Sequence, residues 1–84
     1  MTPGLAAPVR DRRDVALELA VKELGNAARH FDAMAAKALH WMRVVAANEI
    51  AEARWSGIKT HALYRAAECR RVLADIATLR EGER

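Results

Sequence analysis

Cys69 is the one cysteine of the chain, so no disulfide can form within it. A lone thiol fits a reducing compartment, and its place on an apolar row reads as a small buried hydrophobe. Proline is nearly as scarce. Pro3 and Pro8 both fall at the start, and with Gly4 they make residues 1–9 a loose N-terminal arm. No stretch approaches the ~20 apolar residues of a membrane span. The start, MTPGLAAPVRDRR, lacks the apolar core of a signal peptide, and its charges follow the apolar residues instead of preceding them. The expectation is a cytoplasmic protein with no membrane partner.

A block of one charge sign is missing too. The net charge is +3, and it divides as 0 over residues 1–25, +1 over 26–57 and +2 over 58–84. Spread so thinly, it describes a solvated helix surface and neither demands nor excludes nucleic acid. Catalytic patterns are lacking as well. There is no HExxH or ExxH, no glycine-rich phosphate loop and no GxSxG. His30, His40 and His61 have no partner at a metal-ligand spacing. No catalytic, cofactor-binding or metal residue is therefore expected, and the chain reads as a non-enzyme.

Alanine is what the sequence has in quantity: 19 of 84 residues, against 24 larger apolar ones. It is the best helix former, because it loses no side-chain entropy and buries no polar group. Phe31 to Trp55 is dense in alanine, has no proline or glycine, and carries both tryptophans. It reads as one long helix. Leu17, Val21, Leu24, Ala28, Phe31, Ala35, Ala38, Met42 and Val45 alternate steps of four and three, the seam of a helix packed at a shallow angle on another.

Two punctuations divide the chain. Gly25-Asn26 is either a helix C-cap or a tolerated interior glycine, and the unbroken heptad row favours continuity or a mild kink. Ser56-Gly57 is the stronger, with Gly57 ending one helix and Ser56 capping the next. Asp11 is a candidate N-cap for the first helix. The helices expected are about 11–24, 26–55 and 58–80, in one helical domain over 10–81, with 82–84 a frayed tail. In the last helix the buried row is Ile58, Ala62, Cys69, Val72, Ile76 and Leu79. Arg65 falls on it and needs an acid such as Glu49 or Glu52, or an escape to water.

The fold class expected is all-α: an antiparallel helical hairpin with an additional N-terminal helix, assembling into a dimeric bundle. A chain of this length is marginal alone, and two hairpins forming four helices enclose the stripe most simply. The function expected is a small protein–protein interaction module that binds and modulates another protein, with a homodimer as its form. Small, motif-free, alanine- and arginine-rich helical chains are common among bacterial accessory and phage-encoded inhibitor proteins, and the composition identifies no family. Phe31, Met34, Trp41, Met42, Trp55 and Tyr64 are the expected interface anchors.

An alternative rests on Gly57-Ile58-Lys59-Thr60-His61-Ala62-Leu63-Tyr64-Arg65, with Ala53 before it. This stretch resembles the turn and recognition helix of TetR-type helix-turn-helix repressors. The resemblance implies a DNA-binding regulator, with Lys59, Thr60 and His61 facing the major groove and Tyr64 and Arg65 on phosphate. It covers about 13 residues. It departs at Glu52, where that family has an aliphatic residue, and at Trp55, which crowds the first helix of the motif. Arg54 and His61 also loosely resemble the Arg…His pair of the HEPN ribonucleases.

Overall fold

The computed structural model describes residues 12–82. The expected arm over 1–9, the Asp11 cap and residues 83–84 lie outside the described residues. Two antiparallel helices account for the rest: α1, Arg12–Val44, and α2, Glu49–Gly82. Each is about 50 Å long at 1.5 Å per residue. No strand occurs among the described residues.

The expected separate N-terminal helix is corrected by this structure. α1 runs through Gly25 without a break, and no described glycine has a positive φ. Gly25 is therefore an interior glycine and not a left-handed cap. The heptad row crossing it supplies the reason, since packing along a continuous seam offsets the ~1 kcal/mol that glycine costs in a helix. The expected turn at Ser56-Gly57 is corrected in the same way. α2 passes through both residues and continues to Gly82, beyond the expected end at residue 80.

The turn lies at residues 45–48 instead. Val45 N–H still donates to Trp41 O at 2.9 Å, and Asn48 N–H closes the turn on Val45 O at 2.8 Å. Asn48 then caps α2: its Oδ1 accepts from Ala51 N–H at 3.0 Å, satisfying one of the amides that a helix start leaves open. Glu49 and Glu52 occupy the first turn of α2 and favour its positive end.

The seam between the helices is narrow and made of small residues. Those buried are Ala28, Ala35 and Ala38 of α1 and Ala62, Ala66 and Ile76 of α2, with Ala38 and Ala62 at 0% exposure. Methyl-sized contacts let two helix axes approach to the short end of the usual 8–10 Å. All nine residues of the expected α1 seam, Leu17 to Val45, are buried or half-buried. The α2 seam differs from expectation. It runs Trp55, Lys59, Ala62, Ala66, Cys69, Leu73 and Ile76 in steps of four and three, every one buried or half-buried. Val72 and Leu79, expected inside, are 41% and 60% exposed. A helix starting at residue 49 carries a single phase through Gly57, and that phase turns Val72 and Leu79 out of the seam.

Candidate interaction surface

With alanine in the seam, the large side chains are displaced to its sides. Two flanks result, and the contacts between helices distinguish them. On one, the Arg65 guanidinium lies over the Phe31 ring, 5.8 Å from its centroid. Arg65 also reaches Glu68 at 3.3 Å, three residues on. Leu24, Arg65, Glu68, Cys69 and Val72 line a shallow depression beside it. On the other flank Arg70 bridges to Asp32 across the helices, with Arg70 Nη1 donating to Asp32 Oδ1 at 3.3 Å.

Helical spacing extends each flank, since residues seven apart share a face. Ala20, Ala27, Met34 and Trp41 of α1 accompany Phe31. On α2, Ile58, Val72 and Leu79 accompany Arg65. This is the apolar flank. The opposite row is Glu18, Gly25, Asp32 and Leu39 on α1, with Ser56, Leu63, Arg70 and Ala77 on α2. This is the polar flank. The Arg70 hydrogen bond holds the Asp32 carboxyl below the usual carboxylate range.

The expected anchors are placed as follows. Phe31, Met34 and Trp41 lie along the apolar flank. Met42 and Trp55 are half-buried in the seam towards the turn. Trp41 and Trp55 stack with centroids 6.1 Å apart and planes 20° from parallel, closing that end of the hairpin. Tyr64 is separate from the other five. It points away from the seam at 63% exposure, because position 64 stands half a turn from Ala62 and Ala66.

The nucleic-acid alternative loses its turn. Residues 53–65 are uninterrupted helix, so no recognition helix is set at an angle to a supporting one. Lys59, Thr60 and His61 point in three directions about 100° apart, with Lys59 half-buried against the seam and Thr60 and His61 exposed. Arg65 has Phe31 and Glu68 as partners, instead of the expected Glu49 or Glu52. Arg54 and His61 share one exposed stripe of the continuous α2.

Asn48 followed by Glu49 and Glu52 is a helix-start signature, and it was legible. The Asp32–Arg70 and Phe31–Arg65 contacts were not, because they require the turn to be placed first. Among the described residues no His, Cys, Asp or Glu cluster could hold a metal ion, and no helix is long and apolar enough to cross a membrane. The chain matches no protein-family model, no curated protein and no solved structure.

Proposed function

We propose that this chain is a non-enzymatic interaction module that binds and modulates another protein, and that its apolar flank is a surface for helix-on-helix packing. One observation carries the reading. Among the described residues the hairpin encloses five alanines and one isoleucine, and no third helix lies over Met34, Trp41, Ile58 and Val72 beside the seam. Apolar surface of this kind gains roughly 25 cal/mol for each Å2 removed from water. Aromatic and methionine side chains are the usual anchors of such contacts. A dimeric helical bundle is the form this module is proposed to take.

The test is affinity capture from a host lysate, with wild type and Met34→Glu compared, each with and without nuclease. The reading expects a stoichiometric protein that survives nuclease and is lost from the variant. Recovery of nucleic acid alone, with Met34→Glu indistinguishable from wild type, would contradict it.

A further inference from the structure

The apolar flank carries a pattern that identifies its occupant. Consider α2 first. Its outer margin on this flank is the sevenfold row Arg54, His61, Glu68 and Asp75. The basic pair precedes the acidic pair. Laid antiparallel on a copy of itself, with the midpoint beside Arg65, the row sets Arg54 against Asp75 and His61 against Glu68. The apolar row next to it sets Ile58 against Val72 about Arg65 itself, half a residue from the midpoint of the charged row. Arg65 then meets its own symmetry mate. Each Arg65 already holds Glu68 at 3.3 Å, so the four charges at the centre cancel.

α1 shows an independent version of the pattern. Its row is small at one end and large at the other: Ala20 and Ala27, then Met34 and Trp41. Antiparallel to itself, with the midpoint between His30 and Phe31, it places Ala20 opposite Trp41 and Ala27 opposite Met34. Small faces large, as interdigitating layers require. Glu23 and Lys37 are symmetric about His30, within one residue of the same register.

The two midpoints come from different helices and different chemistry, yet they stand at one height of the hairpin. Phe31 and Arg65, which mark them, are in contact. A single two-fold axis crossing both helices at that height therefore satisfies both patterns. Area agrees. A flank about 50 Å long and two helices, about 20 Å, wide offers about 1,000 Å2, and a standard interface takes about 800 Å2 from each partner.

We infer that a second copy of this chain covers the apolar flank, forming an antiparallel four-helix bundle in which α1 packs on α1, α2 packs on α2, and the two-fold axis passes at the height of Phe31 and Arg65. The inference rests on the proposed role of that flank in helix packing. Such an interface is isologous, each patch meeting itself.

Sedimentation equilibrium on the full chain tests it, using wild type, Arg54→Glu, and Arg54→Glu combined with Asp75→Arg. Wild type is expected to be a dimer. Arg54→Glu faces two like-charge contacts per dimer and raises the dissociation constant about tenfold, and the double variant restores it, because each reversed charge meets its reversed partner. A second measurement does not depend on charge. In a Cys69→Ser background, Arg65→Cys is expected to form a disulfide between copies on oxidation, and Thr60→Cys, on the outer surface, is not. A monomeric wild type at 100 µM and above would overturn the inference, while retained capture of another protein would leave the interaction reading standing. A dimer in which Asp75→Arg gives no rescue and Arg65→Cys no cross-link would overturn the axis.

Discussion

The two flanks of the hairpin use the same helices and the same seam, yet they end differently. On the polar flank the sevenfold rows bring Asp32 to Arg70, and that pair satisfies itself, with Leu39 and Leu63 beside it left exposed. On the apolar flank the same step along the helices brings Phe31 to Arg65, and one position further out the rows are Ala27, Met34 and Trp41. An ion pair in water needs no further partner. A methionine and a tryptophan beside an alanine seam lose contact area until something covers them. The alanine seam is the cause of the difference, because residues of that size cannot draw the large side chains between the helices.

The most severe way to break the comparison is to remove the platform both flanks share. Ala62 is fully buried, and Ala62→Leu forces a larger side chain into the closest approach of the helices. A loss of about 1–3 kcal/mol is expected, read as a lower urea midpoint. An unchanged midpoint would mean that the helices are not in close contact there.

The flanks themselves are separated by a matched pair of variants. Met34→Glu places a charge on the apolar flank and is expected to weaken association at least tenfold in sedimentation equilibrium. Leu39→Glu adds the same charge on the polar flank, and its dissociation constant should stay within about twofold of wild type. Equal effects would erase the distinction.

The phase that sets both flanks depends on α2 passing through Gly57. A Cβ built there meets nothing within 4 Å, and the position is helical. Gly57→Ala is expected to stabilise the chain by about 0.5–1 kcal/mol and raise the melting temperature. A turn at this site would give the opposite sign.

The smallest effect concerns the polar flank alone. Hydrogen bonding from Arg70 holds the Asp32 carboxyl below its ordinary value. A depressed folded-state value contributes stability above the ordinary carboxylate range and loses it as pH falls through the lowered value. Wild type should therefore lose more melting temperature than Asp32→Asn on acidification from about pH 7 to about pH 2. Equal losses would show the pair to be without consequence in solution, as many exposed pairs are.

How far the sequence carried these features varied along the chain. The α1 seam was fully legible, because nine apolar positions kept one phase from Leu17 to Val45. The all-helical class followed from alanine content and the confinement of proline to the first residues. The turn was not placed correctly. Ser56-Gly57 carries the louder local signal, whereas Asn48 with Glu49 and Glu52 is a helix-start signature inside an alanine-rich stretch that has no proline or glycine. Lys59 in a seam position hides the continuation of the α2 heptad, and without that phase the apolar pattern puts Val72 and Leu79 on the buried row. The apolar flank holds Phe31, Met34 and Trp41, half of the anchors expected from residue type, and Tyr64 shows the limit of that approach. An aromatic at helical spacing announces apolar area, and only the phase decides which way it faces.

The most direct measurement is the thermal midpoint as a function of chain concentration, from about 1 to about 100 µM. If a second copy covers the apolar flank, the folded state is linked to association and the midpoint rises with concentration. In Met34→Glu that dependence should vanish. A midpoint that is flat across the range in wild type would contradict the account.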